Sequence, residues 1–240
     1  MHKPIDKDLF GKALLDFQTS KLKKGYISTY SSIAGEDWME LSYLFRTFHE
    51  MPLIEQTALK NCYGSVLDIG CGSGSHTLHL QNKGFQTKAI DISENAIKAC
   101  TLRGIKNAKK QNIWTLKNEK FDTILALMNG AGVCGTLDNL TSFLEHLKTL
   151  LNPNGQILLD SSDILYMYND TLENIVLPEN RNYYGEVVFE FMYKGMYSEK
   201  FNWLFINFTD LQFYAKKAGL KCTLIKEGFH HEFLVRMTSL

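Results

Sequence analysis

The stretch Val66-Leu67-Asp68-Ile69-Gly70-Cys71-Gly72-Ser73-Gly74 decides the fold. Its apolar first half predicts a buried strand, and its three glycines predict a tight turn that leads into a helix. A turn without Cβ atoms lets backbone N–H groups approach a ligand closely, and the helix N-terminus adds the positive end of its dipole. The stretch therefore predicts a ligand-binding loop between a strand and a helix.

Two common phosphate-binding loops are disfavoured by the spacing. The dinucleotide fingerprint GxGxxG requires a third glycine where this chain has Ser75. The P-loop requires a Lys-Ser/Thr pair after its last glycine, and Ser75-His76 does not supply one. Asp68 is also awkward beside a pyrophosphate and suits a cationic ligand better. A NAD-dependent oxidoreductase stays open as a less favoured alternative.

Strand-like runs alternate with helical patterns from about Ser65 onward, which predicts parallel βα units. Ser93 is a candidate N-cap, and Asn152-Pro153-Asn154-Gly155 is predicted to be a turn. The predicted strands are Ser65–Ile69, Phe85–Asp91, Ile105–Gln111, Phe121–Met128, Gln156–Asp160, Cys222–Lys226 and Phe233–Met237. Helices are predicted over Ser75–Lys83, from Ser93 to Gly104, from Leu140 to Leu151, and over Thr209–Ala218.

The flanking regions differ from this pattern. Residues 1–60 are predicted to be helical with an aromatic-rich interruption at Tyr26–Tyr30. Residues 186–206 alternate like a hairpin around Lys194-Gly195. We expect an N-terminal helical cap over residues 1–60 and a domain over 61–240 that carries an insertion at 165–206.

Composition limits the function classes. Of the 240 residues 45% are hydrophobic and 22% are charged, and Lys plus Arg (26) equals Asp plus Glu (26). No overall field attracts nucleic acid or a membrane, so neither partner is expected. The cysteines are scattered without a CxxC pair, so no metal site is expected. The N-terminus lacks an apolar signal region, and a cytoplasmic location is expected. The oligomeric state stays open.

The segment Asp68-Ile69-Gly70-Cys71-Gly72-Ser73-Gly74 resembles the first motif of the class I S-adenosylmethionine-dependent methyltransferases nearly position for position. The resemblance covers residues 64–165 and, more loosely, 200–237. It implies a single α/β, Rossmann-like domain with a seven-stranded, mostly parallel sheet in the order 3-2-1-4-5-7-6, strand seven being antiparallel. It also implies methyl transfer from S-adenosyl-L-methionine with release of S-adenosylhomocysteine.

The resemblance also assigns cofactor contacts. The glycine loop packs against the methionine part and the ribose, and Asp68 supports the amino-acid end. Asp91 stands where an acid holds the ribose hydroxyls, because a carboxylate accepts from both at once. Asn112 replaces the Asp with which many members bind the adenine amine, and its side-chain oxygen can still accept. The predicted cofactor-binding residues are Asp68, Gly70, Cys71, Gly72, Gly74, Asp91, Ile92, Asn112, Ile113, Met128 and Asn129.

The acceptor is expected at the end of the fourth strand, near Asn129. The sequence there lacks the Pro-Pro motif of nucleobase-amine methylases and the Pro-Cys nucleophile of cytosine-carbon enzymes. Candidate proton acceptors are Asp160 and His230, with Asp163 and His231 beside them. We predict a small-molecule acceptor bound by Tyr30, Arg46 and Asn129 under an aromatic cap. A protein that binds the cofactor without catalysing methyl transfer stays open as an alternative.

Overall fold

The computed structural model describes residues 4–20, 24–168 and 181–240. Residues 169–180 of the predicted insertion, and residues 1–3 and 21–23 of the predicted cap, lie outside these ranges. The chain forms two compact units, each assembled from separated segments. The first comprises Met1–Met51, Leu67–Leu116 and Val188–Phe201, and the second comprises Pro52–Val66, Lys117–Val187 and Asn202–Leu240.

The helices begin and end close to the predicted positions. In the helix Leu137–Thr149, the apolar residues Leu140, Phe143, Leu144 and Leu147 are buried at the spacing that the sequence predicts for one helix face. The α-helices are α1 Leu9–Thr19, α2 Leu41–Leu44, α3 Leu53–Lys60, α4 Ser75–Asn82, α5 Glu94–Leu102, α6 Leu137–Thr149 and α7 Phe208–Lys217. Short 3-10 helices span Phe48–Glu50, Ile113–Thr115, Gly130–Cys134 and Leu165–Tyr168.

The strands form two sheets. They are β1 Tyr26–Ser31, β2 Gly35–Glu40, β3 Ser65–Ile69, β4 Gln86–Asp91, β5 Ala108–Lys110, β6 Phe121–Ala126, β7 Leu151–Ser162, β8 Glu186–Tyr193, β9 Met196–Tyr197, β10 Phe201–Leu204, β11 Leu220–Glu227 and β12 Glu232–Ser239.

Within the described residues, one sheet contains seven strands in the order β11-β12-β7-β6-β3-β4-β5. In this sheet β4 pairs with β5 and β6 pairs with β7 in parallel, while β12 is antiparallel to both β7 and β11. Counted along the chain, this is the predicted order 3-2-1-4-5-7-6 with strand seven antiparallel. The α/β, Rossmann-like architecture is therefore confirmed.

The second sheet is antiparallel and has the order β10-β8-β1-β2, with β9 paired to β8. The predicted hairpin around Lys194-Gly195 is present, and both residues have positive φ. The aromatic interruption at Tyr26–Tyr30 is not a break between helices but the strand β1, which pairs with β2. Aromatic and β-branched side chains in alternation favour this strand. The N-terminal segment is thus helical only in part.

The predicted turn at Asn152–Gly155 lies inside a strand. The pairing of β6 with β7 goes from Phe121↔Leu151 directly to Thr123↔Gln156, so the four residues form a bulge. Asn154 has a φ of 64°. A Cβ on Gly155 would lie 3.0 Å from the carbonyl oxygens of Asn152 and Phe121. The backbone crowding at Gly155 explains why a turn-forming sequence occurs within β7.

In the second unit the Asp122 carboxylate joins the beginnings of three neighbouring strands. Its Oδ2 accepts from the backbone N of Ser65 (2.7 Å) and from the Ser65 hydroxyl (2.9 Å), and its Oδ1 accepts from Asn152 Nδ2 (2.8 Å). A Cβ on Gly64 would lie 2.1 Å from Asp122 Oδ2, so only glycine leaves room for the carboxylate. These hydrogen bonds hold the pKa of Asp122 below its ordinary value.

We predict that Asp122→Asn lowers the free energy of unfolding by about 1 kcal/mol at pH 7, because the amide places a donor where the carboxylate accepts. Because the folded carboxyl has a lowered pKa, its stabilisation is present above the unfolded pKa of about 4 and is lost as the pH falls through the folded pKa. Urea unfolding should therefore show that the difference between the two proteins shrinks from pH 7 to about pH 3. A difference that stays constant with pH would contradict this assignment.

Candidate cofactor site

The glycine loop between β3 and α4 has three left-handed glycines with different surroundings. Gly70, Gly72 and Gly74 have φ values of 62°, 53° and 78°. A Cβ on Gly74 would lie 2.1 Å from Ile105 Cδ1, so this glycine is required for packing. A Cβ on Gly70 would meet nothing within 4 Å, and one on Gly72 would meet only Leu14 Cδ1 at 4.0 Å. The loop thus presents an open face at Gly70 and Gly72, which fits the close approach of a ligand.

Asp68 lies at the end of β3 and is buried. Its Oδ2 accepts a hydrogen bond of 2.5 Å from the Thr77 hydroxyl, which α4 supplies. The contact ties the strand before the glycine loop to the helix after it. Sequence analysis did not identify Thr77, although a hydroxyl in the first turn of the helix after a ligand-binding loop is a usable signal.

Asp91 ends β4, and its carboxylate reaches the glycine loop. Oδ2 accepts from the backbone N of Gly72 at 2.9 Å, and Oδ1 accepts from the backbone N of Ser93 at 2.8 Å. Each oxygen therefore keeps a second lone pair. Burial, with the charges of Asp8 and Asp68 adding to it, raises the pKa of Asp91 despite these two bonds. A group held in this way is suited to accept two hydroxyl hydrogens from a ligand.

Ile92, a further predicted cofactor residue, and Ser93, the predicted N-cap, follow this carboxylate in the chain. Ile92 is 71% exposed, an unusual state for an apolar side chain directly after a buried strand. Ser93 caps α5 by accepting from the backbone N of Ala96 at 2.9 Å, as its position predicts. The Asp91 carboxylate is consequently not needed as the cap of α5.

Asn112 is exposed, and Ile113 beside it is buried. The Asn112 Oδ1 accepts from the backbone N of Trp114 at 3.0 Å and so caps the short helix Ile113–Thr115. A carbonyl oxygen accepts two hydrogen bonds, so one lone pair is used here. The predicted contact with adenine therefore stays a prediction, and this cap is a role that sequence analysis did not assign to Asn112.

Arg103 was not identified from the sequence, yet it binds the back of the glycine loop. Its Nη1 donates to the carbonyl oxygen of Ser73 at 2.8 Å and to the hydroxyls of Ser73 and Ser75, each at 3.0 Å. The Ser73 hydroxyl in turn donates to the carbonyl oxygen of Leu44. Arg103 lies about 30 residues from its partners, so no local sequence pattern could reveal it.

In the second unit, Met128 and Asn129 follow β6 in a turn held by Asp160. The Asp160 oxygens accept from the backbone N of Met128 and of Gly130, both at 3.2 Å. Ser162 Oγ donates to Asn129 Oδ1 at 2.9 Å. Asp160 is buried, and its oxygens bind backbone groups, which is the arrangement of a residue that fixes a turn.

The other predicted proton acceptors differ in their surroundings. Asp163 Oδ1 accepts from the Tyr184 hydroxyl at 2.8 Å and from the backbone N of Leu165 at 3.0 Å. His230 and His231 are exposed in the turn between β11 and β12. The His231 ring stacks on Tyr166 with 4.8 Å between ring centroids. No proton-transfer geometry distinguishes the two histidines from ordinary turn residues.

Tyr30 and Arg46, the predicted acceptor-binding residues of the first unit, differ in their exposure to solvent. Tyr30 is 47% exposed on β1. Arg46 is buried, its Nη1 donates to the carbonyl oxygen of Tyr43, and its guanidinium lies 4.1 Å from the centroid of the Tyr43 ring. Tyr30 is thus accessible to a ligand, whereas Arg46 is engaged in local packing.

No group of three or more His, Cys, Asp or Glu side chains in the described ranges is arranged to hold a metal ion. None of the helices in the same ranges has the length and apolar character needed to cross a bilayer.

Residues 38–223 match a family model described as a methyltransferase domain. An S-adenosylmethionine-dependent methyltransferase from Bacteroides fragilis, solved in complex with S-adenosyl-L-homocysteine, is 40% identical with a TM-score of 0.88, over 98% of this chain and 96% of that chain. Among curated proteins, the ubiquinone biosynthesis O-methyltransferase of Rickettsia typhi is 27% identical over 50% of this chain and 52% of its own length. The ribosomal protein L11 methyltransferase of Campylobacter fetus is 33% identical over 48% of this chain and 40% of its own length.

The chain spans about half the length of the curated relatives that it matches, or less. The family model, by contrast, covers more than half of this chain, and the similarity to the Bacteroides fragilis protein extends along almost all of it. The open glycine loop and the Asp91 carboxylate agree with the ligand that the latter structure contains. The chain therefore belongs to the class I methyltransferases, enzymes that use S-adenosylmethionine as their cofactor.

Proposed function

We propose that this enzyme methylates a small molecule, with the cofactor held by the glycine loop and Asp91. When bound, S-adenosylmethionine supplies a methyl group on a positively charged sulfur, and S-adenosylhomocysteine is released. The curated relatives are named for different acceptors, one for ubiquinone biosynthesis and one for a ribosomal protein. The class of acceptor must therefore be inferred from the residues of this chain.

The exposed face of the β1–β2 hairpin carries this inference. Alternate side chains share a face, so Tyr26 and Tyr30 lie on the same side of β1. The register places Trp38 opposite Ser28, and Glu36 opposite Tyr30. Tyr26, Tyr30 and Trp38 are 48%, 47% and 60% exposed. Exposed aromatic rings beside a carboxylate favour a small organic ligand.

The same face argues against a polyanionic acceptor. Glu36, Glu40 and Glu190 pair in register with the exposed face of β1, at Tyr30, Tyr26 and Tyr30 respectively. Nucleic-acid binding depends on Lys and Arg side chains that neutralise phosphates, whereas carboxylates repel phosphates. The balanced charge of the whole chain agrees with this interpretation. We assign to the exposed face of the β1–β2 hairpin the role of contacting the acceptor.

The geometry of the first unit supports the proposed contacts of Asp91 and the glycine loop with the cofactor. The second lone pairs of the Asp91 oxygens accept the two ribose hydroxyls, and the open faces of Gly70 and Gly72 admit the methionine part. Asp68 contributes negative charge for the amino end. Asn112 and Ile113 are assigned to adenine, and Met128 and Asn129 to the end of the site from which methyl transfer occurs.

No general base is included in this proposal. Departure of a neutral thioether from a sulfonium needs no acid, so alignment of the acceptor with the methyl group provides much of the rate. The Asp160 oxygens bind backbone N–H groups, and His230 is exposed in a turn. A proton from the acceptor therefore passes to solvent rather than to these residues.

We predict that Gly70→Ala weakens S-adenosylmethionine binding at least tenfold, because the methyl group enters the open space where the ligand packs. Gly84→Ala is the matched control. Gly84 has a φ of 89° and also has nothing within 4 Å of an added Cβ, so backbone strain is similar. Calorimetric titration should show a loss of affinity for Gly70→Ala alone. Equal losses of affinity in both variants would show that backbone strain causes the effect. That result would contradict a contact between Gly70 and the cofactor.

We predict that Asp91→Ala weakens S-adenosylmethionine binding about ten- to a hundredfold, because charge-assisted hydrogen bonds to the ribose are lost. In the wild type, affinity should fall as the pH is lowered through the raised pKa of Asp91, since a protonated carboxyl accepts less well. The variant should lack this dependence. Asp138→Ala, which removes an exposed carboxylate, is the control and should keep wild-type affinity. Unchanged affinity in Asp91→Ala would refute the ribose contact.

The proposed acceptor class is tested with methyl-labelled S-adenosylmethionine and cell extract separated by size. We expect label to enter the small-molecule fraction, and Trp38→Ala to reduce this labelling without changing cofactor affinity. Label that enters only the protein or RNA fraction would contradict a small-molecule acceptor. This outcome would not contradict the proposed cofactor contacts, because calorimetry measures cofactor binding separately.

A further inference from the structure

The short helix α2 ends against the glycine loop. The carbonyl oxygen of Leu44, its last residue, accepts from the hydroxyls of both Ser73 and Ser75, the latter at 2.9 Å. A helix leaves its last carbonyl groups without intrahelical partners, and the two hydroxyls supply partners for one of them. Ser73 is buried, so its hydrogen bond is shielded from water. The glycine loop is therefore attached to a segment about 30 residues earlier in the chain.

Arg103 contacts both sides of this attachment. Its Nη1 donates to the carbonyl oxygen and hydroxyl of Ser73 and to the hydroxyl of Ser75, and its Nη2 donates to the carbonyl oxygen of Phe45 at 3.4 Å. The guanidinium carbon lies 4.9 Å from the centroid of the Phe45 ring. A guanidinium presents several donors in one fixed plane, whereas an ammonium group is a compact point charge. One side chain thus holds the glycine loop and the residue after α2 together.

The same helix closes the base of the β1–β2 hairpin. β2 runs directly into α2, with Glu40 followed by Leu41. The backbone N of Leu41 donates to the carbonyl oxygen of Gly25 at 2.7 Å, and Gly25 directly precedes β1. Leu41 is also buried, so α2 is packed into the unit. The hairpin that carries Tyr30 and Trp38 is therefore connected through α2 to the glycine loop.

We propose that Arg103 is a positioning residue that couples the glycine loop to the β1–β2 hairpin, with Ser73 and Ser75 as its partners. In the proposed function the cofactor packs against Gly70 and Gly72, so it holds the loop in the form that binds α2. Cofactor binding then stabilises the hairpin that contacts the acceptor. The inference rests on the proposed function and adds that the acceptor binds more tightly to the cofactor complex than to the free enzyme. Such coupling is reciprocal, so bound acceptor strengthens cofactor binding by the same factor.

Coupling requires an element with two states that both ligands bias, and the β1–β2 hairpin is that element. In the docked state, Leu44 and Phe45 accept hydrogen bonds from the loop and from Arg103. In a locally opened state water replaces these partners, and the backbone amides of the hairpin exchange faster with solvent. None of the six residues of β2, Gly35–Glu40, is fully buried. The hairpin consequently depends on its base for stability.

Hydrogen exchange followed by mass spectrometry tests the coupling with S-adenosylhomocysteine, which binds without turnover. We expect the ligand to slow exchange of the β1–β2 backbone amides about tenfold in the wild type. In Arg103→Met the slowing should be less than about twofold, because the side chain keeps apolar packing against Phe45 but loses its donors. Each protein is measured at the same multiple of its own dissociation constant, so weaker binding alone does not produce the difference.

Two further variants serve as controls. Arg236→Met removes a half-buried arginine of the second unit, which donates to Asn61, and it should keep the full ligand-dependent slowing. Arg103→Lys keeps the charge and a donor and should restore part of the effect. Exchange that does not respond to the ligand in the wild type would overturn the proposal. Equal slowing in the wild type and Arg103→Met would overturn it as well, because Arg103 would then support the loop alone.

A pair of hydroxyl deletions decides the proposal if Arg103→Met fails to fold. Ser75→Ala removes the hydroxyl that donates to Leu44, whereas Thr101→Ala removes an exposed hydroxyl that donates within α5. We expect the ligand-dependent slowing to fall by about half or more in Ser75→Ala and to stay unchanged in Thr101→Ala. Equal slowing in the two variants would contradict the coupling.

The acceptor side is tested with the methyl-labelling assay at saturating S-adenosylmethionine. For Arg103→Met, the half-saturating amount of the acceptor fraction should rise about fivefold, and turnover at saturating acceptor should change less. Arg236→Met should match the wild type. An unchanged half-saturating amount in Arg103→Met would overturn the link to the acceptor. The exchange experiment contains no acceptor, so label that enters only a protein or RNA fraction contradicts the proposed acceptor class and not the coupling.

Discussion

Asp91 accepts hydrogen bonds from the backbone N–H groups of Gly72 and Ser93, and the position of the glycine loop depends on this carboxylate. It fixes the glycine loop from the side of β4, while Arg103 fixes it from behind through Ser73. Gly72 can take this position because it tolerates a positive φ. The loop therefore keeps an open face while hydrogen bonds hold it at two anchors.

This arrangement has a thermodynamic cost that the ligand can offset. Burial raises the pKa of Asp91, so the ionised carboxylate is less favourable in the folded protein than in water. Its contribution to stability is full below the unfolded pKa and is lost as the pH rises through the folded pKa. Ionisation of Asp91 therefore lowers the stability of the folded protein. Ligand hydroxyls that donate to the carboxylate would reduce this penalty, which links cofactor binding to folding stability.

Much of the fold follows from local patterns in the sequence. The run Val66–Gly74 and the alternation of strands and helices predict the main sheet, and the family resemblance supplies its order. The prediction fails at an aromatic segment whose strand pairing extends beyond the local sequence. Tyr26–Ser31 pairs with β8, about 160 residues away, as well as with β2. The bulge at Asn152–Gly155 similarly depends on the register with β6, which local turn signals do not contain.

The site is harder to predict than the fold, because an acidic residue at a strand end has several uses. Sequence position alone gives Asp91 and Asp160 similar standing, since each stands at the carboxyl end of a parallel strand. In the structure Asp91 and Asp160 each accept from two backbone N–H groups, and Asp122 accepts from one, that of Ser65. Asp91 and Asp160 differ in the backbone that each carboxylate holds. Asp91 holds glycine in a conformation that glycine adopts easily, whereas Asp160 holds a turn in which Met128 and Asn129, which are not glycine, have positive φ.

These carboxylates also share a physical property that ion pairs lack. Ion pairs such as Lys98–Glu94, in which both side chains are 55% exposed, lie on the surface. Such pairs contribute little and are screened by salt. Hydrogen bonds from backbone N–H groups to buried carboxylates are screened much less. The cofactor loop and the turn after β6 should therefore tolerate salt but respond to acid, because protonation removes the acceptors on which both depend.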